Sequence, residues 1–589
     1  MKSKNNNISL PTQLPAWRFY LILAVCLMMF AGLAVRAAWI QVLDNDFLKN
    51  QGDSRTVRYQ GIDSHRGIIR DRNGIELATS IPVSSVWVDV TEILKESAKY
   101  PDFFETGAWA QLATLVDMTP RELTRWVEKR ESRKFVWLKR HIEPSHSSII
   151  RRLKIPGVNL EQESRRYYPT AEVSAHIVGF TDIDERGLEG IERAFDERLQ
   201  GEEGKRRIIR DRKGNPIQEA NILDEAKIGE DLDLSIDIRI QTTAYQRLKA
   251  AVQRYGAKAG TAVVLDIDTG EVLAMVNQPS YNPNNVNSRV PNATRNRAIT
   301  DVFEPGSTVK PLTAVSALSS GKFNAETVID TSPGLMRVGG RWVRDGINHG
   351  PLTVSEVIKK SSNVGVTRMA LALEDDEFLS SFYGVGFGTD NATGFPGEVS
   401  GHLNVRSNWS AIEKATISYG YGLDVSTLQL AKAYAVLGAL GKNRPVSLLK
   451  VDGPVISEQV IEPQIARQVL AMMEQVVKTG GTGTKAKVAG YRVSGKTGTA
   501  RKAIAGGYGN EYFAVFAGVA PVRNPRLAIA VMIDDPKGDE YYGGDVAGPV
   551  FAEIMESALR ILNIAPDSEN IEPIQLVENN HSFNNTGGQ

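Results

Sequence analysis

The sequence predicts an α/β protein, with helices packed on a sheet, behind a single membrane-spanning helix. The first observation is an uncharged run of 17 residues near the amino terminus, 19–35. The second is a pair of apolar strands joined by a tight turn within 261–277, followed by helical segments. The third is a late pair of apolar strands, 512–519 and 527–533, before a closing amphipathic helix at 546–562. Strands, helices, strands and a last helix in this order are typical of a sheet covered by helices.

The composition excludes several classes of protein. Lys and Arg number 69 and Asp and Glu number 69, so the formal net charge is zero and offers no basic surface for nucleic acid. The single cysteine, Cys26, excludes a disulfide framework, a cysteine-based zinc site and an iron–sulfur cluster. A chain of 589 residues is long enough for roughly two to four domains.

The uncharged run predicts a membrane anchor. As a helix it spans about 25 Å of a hydrocarbon core that is about 30 Å thick. Arg18 and Arg36 flank the run and can reach the headgroups, and Trp17 and Trp39 suit the membrane interface. A cleaved signal peptide is the alternative, but the 18-residue lead and Arg36 in the cleavage region argue against it. Three positive charges before the run against two after it favour a cytoplasmic amino terminus.

The region between the anchor and the apolar strands is rich in charge and in short β-like runs. Residues 68–74 recur almost unchanged as 208–214, and each copy predicts a strand that enters a Gly-containing turn. The two copies predict two hairpins that bracket one module. Residues 220–231 are acidic and predict a linker, and the apolar alternation over 232–238 predicts a strand after it.

A serine and a lysine lie three residues apart after a Pro-Gly turn, at Ser307 and Lys310. The apolar spacing that follows predicts a helix, so both side chains lie on one face of its first turn, where Pro311 is tolerated. A serine hydroxyl needs a base to become a nucleophile. A lysine amine can be that base only if burial or a second cation lowers its pKa from about 10.4. Lys496, in a Lys-Thr-Gly sequence, offers the second cation.

A third motif lies between these two. Ser361-Ser362-Asn363 follows a helix that opens with a Thr-Glu capping pair. Other copies of the short motifs occur, such as Ser447 and Lys450, but these fall on a predicted strand, 446–451, where positions i and i+3 point to opposite faces. The pairs that combine a suitable local structure with a consistent order are Ser307/Lys310, Ser361/Asn363 and Lys496/Gly498.

A nucleotide site is a disfavoured alternative. Residues 490–497 satisfy the phosphate-loop pattern G-x-x-x-x-G-K-[ST]. A phosphate loop should follow a strand and open a helix, whereas a loop-like segment precedes this one and no helical spacing follows it. The seven histidines show no metal-ligand spacing, so the sequence predicts no metal and no cofactor.

The ordered triple of motifs resembles the signature of penicillin-binding proteins and serine β-lactamases. Four further segments resemble class B penicillin-binding proteins: Arg66–Gly74, Glu163–Pro169, Gly187–Glu192 and Ser418–Gly422. Over residues 17–563 the chain resembles the division-specific type, penicillin-binding protein 3, which is the septal peptidoglycan D,D-transpeptidase of Gram-negative bacteria.

This resemblance implies a penicillin-binding transpeptidase fold. We expect an antiparallel sheet with helices on both faces, an all-helical subregion, and an elongated β-rich pedestal that has no chemistry of its own. The expected domains are a cytoplasmic stub at 1–16, a transmembrane anchor at 17–42, a dimerisation-type pedestal at 43–225, a transpeptidase domain at 226–565 and a disordered tail at 566–589.

The resemblance implies serine acyl transfer. Ser307 is expected to attack the D-Ala–D-Ala carbonyl of a peptidoglycan stem peptide, D-alanine leaves, and an amine of a neighbouring stem takes the acyl group. Lys310 is the expected general base, Ser361 is expected to pass the proton to the leaving amine, and Asn363 is expected to hold the substrate amide and Lys310. β-Lactams, which mimic the D-Ala–D-Ala terminus, should acylate Ser307.

The resemblance also assigns the groups that bind the substrate. Lys496 is expected to supply positive potential, and the hydroxyls of Thr497 and Thr499, on either side of Gly498, are expected to bind the terminal carboxylate. The backbone N–H groups of Ser307 and Thr499 are the expected oxyanion hole.

The resemblance further implies partners and a location. The expected partners are peptidoglycan stem peptides, β-lactam antibiotics, a division-complex glycosyltransferase that polymerises lipid II, and periplasmic activators. The expected location is the bacterial inner membrane at the division septum, with one span and a periplasmic catalytic domain. A β-lactamase would not need the anchor or the long module. A membrane-anchored β-lactam sensor or scaffold without transpeptidation is the alternative, and it would be expected to have lost Lys310 or Lys496.

Overall fold

A computed structural model gives the fold of the chain. It describes residues 16–42, 46, 57–62, 64–202, 204–210, 216–403, 406 and 408–568. The predicted stub, apart from its last residue, and the part of the predicted tail after Ser568 lie outside these residues. The chain divides into two compact units, Met1–Ser64 with Gly201–Ile228, and His65–Gln200 with Gly229–Gln589.

The first unit contains the apolar helix and a small sheet. Helix α1 covers Ala16–Val42, with a mean hydropathy of 2.3 over its most apolar window, and it is the one helix in the described residues that is long and apolar enough to cross a membrane. The sheet is antiparallel in the order β1–β8–β9, formed by Val57–Ile62, Gly204–Arg210 and Pro216–Asp224. The second copy of the repeated segment runs along β8, and its predicted turn, within 211–215, lies outside the described residues.

The second unit begins with a five-stranded sheet in which β3 is central. Its strands are β2 (Ile69–Arg70), β3 (Glu76–Val88), β4 (Val136–Ile142), β5 (Val158–Tyr167) and β10 (Leu232–Asp233). The order is β10–β2–β3–β4, and β5 also pairs with β3. The first copy of the repeated segment forms the β2–β3 hairpin, as the sequence predicts, and Asp71 accepts backbone hydrogen bonds from Asn73 and Ile75 in its turn, both at 2.8 Å.

Helices that the sequence analysis did not predict pack on this sheet. They are α2 (Val90–Lys99), α3 (Gly107–Leu115), α4 (Pro120–Glu128) and α5 (Pro144–Leu153). Trp109 of α3 is 1% exposed and lies in a core that β3 and β4 share with these helices. Three short helices follow, α6 (Ala175–Val178), α7 (Gly190–Ala194) and α8 (Asp196–Leu199), together with the paired strands β6 (Phe180–Thr181) and β7 (Gly187–Glu189).

A buried ion cluster joins distant parts of this region. The Glu192 carboxylate, which is fully buried, accepts from the guanidinium groups of Arg66 and Arg166, each at 2.7 Å. Arg66 also pairs with Asp196 at 2.7 Å. The three segments that meet here lie in or beside the stretches that resemble class B penicillin-binding proteins, so ion pairs hold these stretches together.

The large sheet of the second unit has five antiparallel strands in the order β12–β11–β21–β20–β19. The strands are β11 (Ala259–Asp266), β12 (Val272–Gln278), β19 (Ser494–Ile504), β20 (Gly507–Ala520) and β21 (Leu527–Asp534). Every residue of β11 and β12 is buried, which accounts for the continuous apolar runs 262–265 and 272–276 within them. The hairpin predicted within 261–277 and both late strands are therefore confirmed.

Helices cover both faces of this sheet, as predicted. On one face, α9 (Ile238–Arg254) and α19 (Gly543–Ile561) share a core with alternate strand residues such as Val264. On the other face, the neighbouring positions, such as Val263, join the core of the helical subregion. Alternation along a strand thus divides the apolar side chains between two cores.

The helical subregion lies between β12 and β19 in the sequence. Its longer helices are α12 (Lys310–Ser319), α13 (Val354–Lys360), α14 (Asn363–Leu371), α15 (Asp375–Gly384), α16 (Ala411–Ser418), α17 (Thr427–Gly438) and α18 (Pro463–Val477), preceded by the single turns α10 (Pro291–Thr294) and α11 (Arg297–Thr300). Its short strand pairs are β13 (Val328–Asp330) with β16 (Pro351–Thr353), β14 (Leu335–Val338) with β15 (Arg341–Arg344), and β17 (Lys442–Asn443) with β18 (Glu458–Gln459).

Residues 220–224, expected to begin a linker, belong to strand β9 instead. Two predicted strands are also wrong. The strand expected over 232–238 ends at Asp233. The end of the expected strand instead begins helix α9, where Asp237 is the N-cap and accepts from the backbone N–H of Arg239 at 3.0 Å. The strand expected over 446–451 is absent from this described stretch, where Ser447 and Leu449 form single bridges with Glu271 and Leu234. In both places alternation marks burial against a neighbour rather than a continuous strand.

The buried ion cluster yields a prediction about stability. Glu192→Gln should lower the free energy of unfolding by about 3–5 kcal/mol, because two buried guanidinium groups would then face a neutral amide. Urea unfolding of the solubilised protein, followed by tryptophan fluorescence, measures the change. Glu230→Gln is the matched control, because Glu230 pairs with Arg198 at the surface, and it should leave the midpoint unchanged. Equal midpoints for the two variants would contradict the prediction.

Candidate active site

Ser307 lies on the turn that leads into α12. Gly306–Val309 form one turn of 3₁₀ helix, and α12 continues from Lys310 with Pro311 in its first turn, where no backbone hydrogen bond is lost. Ser307 is partly buried, whereas its neighbours Thr308 and Val309 are buried. The serine and the lysine therefore lie one turn apart, with the serine toward solvent.

The Lys310 amine is fully buried and is surrounded by acceptors. Nζ donates to the Ser361 carbonyl at 2.6 Å, to Asn363 Oδ1 at 2.7 Å and to Ser361 Oγ at 3.2 Å. Among the residues that the structure describes, the Lys310 amine forms these three hydrogen bonds, and none of them is to the Ser307 hydroxyl. A proton transfer from Ser307 therefore needs the amine to exchange one of its present partners, as catalytic hydrogen bonds often do when a substrate binds.

The second motif is presented by the junction of two helices. Helix α13 opens with the predicted capping box of Thr353 and Glu356 and ends at Ser361, whose backbone is left-handed at φ 61°. This conformation is uncommon for serine. The next residue, Ser362, caps α14 by accepting from the backbone N–H of Gly365 at 2.9 Å. The tight junction brings the carbonyl and the hydroxyl of Ser361 within hydrogen-bonding distance of the same amine of Lys310.

The third motif lies on β19, at the edge of the large sheet. The Lys496 amine is fully buried and donates to Ser361 Oγ at 3.0 Å and to the carbonyl of Thr497 at 3.1 Å. The Thr497 hydroxyl bonds with the Thr482 hydroxyl at 2.8 Å. Two lysine amines thus converge on the single hydroxyl of Ser361.

Burial controls the charge of these two amines. Loss of water lowers the pKa of Lys310 to about 7, although the Asp345 carboxylate acts in the opposite direction. Burial, together with repulsion from the Lys310 ammonium, lowers the pKa of Lys496. Two ammonium groups that share one hydroxyl in a buried site repel each other, so the pair favours a state with one proton fewer than two free lysines would carry.

The backbone of β19 packs directly on the nucleophile's turn. A Cβ at Gly498 would lie 2.8 Å from Thr308 Cγ2 and 2.9 Å from the Pro305 carbonyl oxygen, so only glycine allows this approach. Thr499 is partly buried, and its hydroxyl accepts from the backbone N–H of Gly543 at 3.0 Å. The Lys-Thr-Gly sequence lies within a strand that runs on to Ile504, so the residues that match a phosphate loop open no helix.

Asp345 is a site residue that the sequence analysis missed. Its carboxylate accepts from the Ser362 hydroxyl at 2.6 Å and from the backbone N–H groups of Asn363 and Val364. The Asn363 side-chain amide donates to the carbonyl of Arg344 at 2.9 Å. The segment after β15 therefore fixes the start of α14 and aims Asn363 at Lys310. No local pattern marks this aspartate, because its partners lie 17 to 19 residues away.

The loop around Gly420 lies in the segment Ser418–Gly422, which the sequence marks by its resemblance but to which it assigns no role in the site. The backbone N–H of Gly306 donates to the Gly420 carbonyl at 3.0 Å, and a Cβ at Gly420 would lie 2.0 Å from the Gly306 carbonyl oxygen. Gly420 also has a positive φ of 87°. The turn that carries Ser307 is thus clamped between this loop and β19.

Comparisons with known families match most of the chain. The family described as the penicillin binding protein transpeptidase domain matches residues 260–556. The family described as the penicillin-binding protein dimerisation domain matches residues 61–234.

Whole-chain relatives and solved structures agree with these matches. The chain is 43% identical over 555 residues to the peptidoglycan D,D-transpeptidase FtsI of Escherichia coli K12, covering 94% of this chain and 93% of that protein. It is 40% identical to the probable peptidoglycan D,D-transpeptidase PenA of Neisseria meningitidis serogroup B, covering 93% of each. The apo transpeptidase domain of Burkholderia pseudomallei penicillin-binding protein 3 is similar over 57% of this chain and 98% of that one, with 43% identity and a TM-score of 0.53. A peptidoglycan synthetase from Bifidobacterium adolescentis is similar over 87% of this chain and 98% of that one, with 26% identity and a TM-score of 0.67.

The clamp on the Ser307 turn yields a prediction with a matched control. Gly420→Ala should destabilise the protein by about 2–5 kcal/mol and slow covalent labelling by fluorescent penicillin, because the added methyl group must displace the Gly306 carbonyl. Gly422→Ala has a similar positive φ of 76° but meets no atom closer than 3.5 Å, so it should cost only about 1–2 kcal/mol and leave labelling intact. Thermal unfolding and labelling rates measure both effects. Equal losses of stability and of labelling rate in the two variants would contradict the inference that the Gly420 loop holds the Ser307 turn in place.

Proposed function

The chain belongs to the class B penicillin-binding proteins, and from that membership we propose that it is a septal peptidoglycan D,D-transpeptidase, a serine acyltransferase that β-lactams acylate. The family membership rests on the two matched domains and on 43% identity over 94% of the chain to a relative named for this activity. The substrate is then the D-Ala–D-Ala end of a peptidoglycan stem peptide, and the product is a cross-link between two stems.

One observation carries the assignment of the site. Two fully buried amines, those of Lys310 and Lys496, lie 3.2 and 3.0 Å from the hydroxyl of Ser361. Lys310 follows Ser307 by one helical turn. A buried lysine beside a serine on the first turn of a helix is the arrangement that an amine base requires. We take Ser307 as the nucleophile and Lys310 as its base.

The proposed acylation replaces the peptide bond between the two D-alanines with an ester bond to Ser307, and the leaving nitrogen gains one proton. Neutral Lys310 takes the proton of Ser307, and Ser307 Oγ forms a bond to the carbonyl carbon of the penultimate D-alanine. The Ser361 hydroxyl can accept a proton from one amine while it donates its own to the other, so it can relay a proton between Lys310 and Lys496. The same hydroxyl delivers a proton to the leaving D-alanine nitrogen as the peptide bond breaks. The acyl-enzyme then reacts with the amine of a second stem.

The remaining residues bind the substrate in this proposal. The Lys496 ammonium supplies positive potential for the terminal carboxylate, which the hydroxyls of Thr497 and Thr499 bind. The Asn363 side chain is held by Lys310 at 2.7 Å and by the carbonyl of Arg344 at 2.9 Å, so its orientation is fixed before a stem peptide arrives. The backbone N–H groups of Ser307 and Thr499 form the oxyanion hole, where one lost donor typically costs about 10²–10³ in rate.

Location and partners follow from the same proposal. Helix α1 serves as the single span in the inner membrane, with the catalytic domain in the periplasm at the septum. The proposed partners are a division-complex glycosyltransferase, which supplies glycan strands, and periplasmic activators. The apolar length of α1 and the absence of a second such helix in the described residues support the single span.

The nucleophile can be tested directly. Ser307→Ala should abolish covalent labelling by fluorescent penicillin, because it removes the hydroxyl that the proposal assigns as the nucleophile and leaves Lys310 with no proton to accept from it. Mass spectrometry of the tryptic peptides maps the adduct. Ser319→Ala is the matched control, because Ser319 and Lys322 repeat the spacing at the exposed end of the same helix, and labelling should persist. Labelling that survives Ser307→Ala would refute the assignment.

A sensor or scaffold is distinguished by a second measurement. Purified protein should cross-link stem peptides on glycan strands made from lipid II, and penicillin should stop the reaction. Protein that binds penicillin at Ser307 but forms no cross-links, even with a polymerase and its activators present, would support the alternative of a β-lactam sensor.

The pKa of Lys310 predicts a pH profile. Lys310 is a base only when its amine is neutral, so the rate constant of penicillin acylation should rise as the pH increases through about 7 and should then level off. Asp345→Asn should shift the midpoint to lower pH, because the Asp345 carboxylate holds the pKa of Lys310 up. Stopped-flow labelling between pH 5.5 and 9, with thermal unfolding at each pH, measures this. A flat profile, or a midpoint near the pKa of a free lysine, would contradict the role of Lys310.

A further inference from the structure

A basic cavity lies apart from the residues of the active site. Its volume is about 490 Å³, and it is bordered by the β11–β12 turn, the end of α17, helix α18 and the β20–β21 turn. Five cationic residues line it: Lys442, Arg444, Arg467, Arg492 and Arg523. Among the residues that the structure describes, Asp268 is the one acidic residue of the lining. None of the proposed catalytic residues lines the cavity.

Most of this positive charge is not neutralised from within the described chain. Asp268 pairs with Arg526, at 2.8 Å, and Arg492 pairs with Glu474, at 2.7 Å. Arg444 donates to the carbonyl of Ile267 at 3.0 Å, which leaves its charge uncompensated. The side chains of Lys442, Arg467 and Arg523 form no ion pair with any residue that the structure describes.

The rim of the cavity already holds a carboxylate. Asp567 Oδ1 accepts from the backbone N–H of Arg492 at 2.7 Å, and its Oδ2 accepts from the backbone N–H of Arg523 at 3.0 Å. The Ser568 N–H donates to the carbonyl of Gly490 at 3.2 Å. Two arginines that line the cavity, Arg492 and Arg523, thus bind one aspartate through their backbone N–H groups.

We propose that this cavity binds the carboxylates of an acidic peptide segment. Guanidinium groups form paired hydrogen bonds with carboxylates, and three arginine side chains here, of Arg444, Arg467 and Arg523, have no carboxylate partner among the described residues. Two sources can supply the segment. The sequence after Ser568 contains three glutamates, Glu569, Glu572 and Glu578, and no Lys or Arg up to Gln589. A separate acidic peptide is the other source. The proposal does not depend on the transpeptidase activity.

The test measures the binding of fluorescein-labelled hexaglutamate to the detergent-solubilised full chain by fluorescence anisotropy. Arg467→Gln with Arg523→Gln should weaken binding about tenfold, since each exposed ion pair contributes modestly. Added salt should weaken binding to the unsubstituted chain, because surface attraction is screened. Arg121→Gln with Arg151→Gln, two exposed arginines outside the cavity, is the matched control and should leave affinity unchanged. Penicillin labelling of each variant reports that the fold is intact.

A second arm distinguishes the sources by using a chain that ends at Ser568. Arginine-dependent binding to the shortened chain alone would assign the site to residues 569–589, which then compete with the probe in the full chain. Equal arginine-dependent binding to both chains would assign it to a separate acidic peptide. Binding to neither chain, or binding that the arginine substitutions do not change, would overturn the proposal. Tighter binding of inorganic tripolyphosphate, with the same arginine dependence, would also overturn it in favour of a phosphate ligand.

Discussion

The removal of the Lys310 amine from water is the constraint on which the rest of the site depends. A lysine in water stays protonated at neutral pH and cannot serve as a base. Burial lowers its pKa to about 7, and the acceptors around it, of Ser361 and Asn363, limit the cost of burial. The three sequence motifs are therefore one electrostatic unit, because each contributes a group to the environment of the same amine or of its neighbour Lys496.

Packing, rather than hydrogen bonding alone, sets the distances within this unit. The site lies where the edge strand β19 meets the helical subregion, and the backbones approach so closely at Gly498 and Gly420 that a methyl group does not fit. Side chains from alternate strand positions fill a core on each face of the sheet. Close-packed interiors resist small displacements, so the amines and hydroxyls keep their separations without substrate.

Features that depend on residues close in the sequence were mostly predicted, and features that depend on residues far apart in the sequence were missed. The hairpin within 261–277, the capping box of Thr353 and the Ser307 turn depend on neighbouring residues, and they were predicted. The helices between 90 and 153 were missed because short amphipathic segments were taken for β-like runs. Asp345 was missed for a different reason: its role depends on partners that only the fold brings close, and a single aspartate after an arginine carries no periodicity.

The left-handed backbone of Ser361 connects these points. A non-glycine residue in this region costs on the order of 1–3 kcal/mol, and glycine would avoid that cost. Serine is nevertheless present, because its hydroxyl lies 3.2 Å from Lys310 and 3.0 Å from Lys496, while its carbonyl lies 2.6 Å from Lys310. An extended or right-handed backbone would point the carbonyl elsewhere and leave the buried amine of Lys310 without its shortest hydrogen bond. The strain at this one residue is thus offset by the electrostatic arrangement that the site requires.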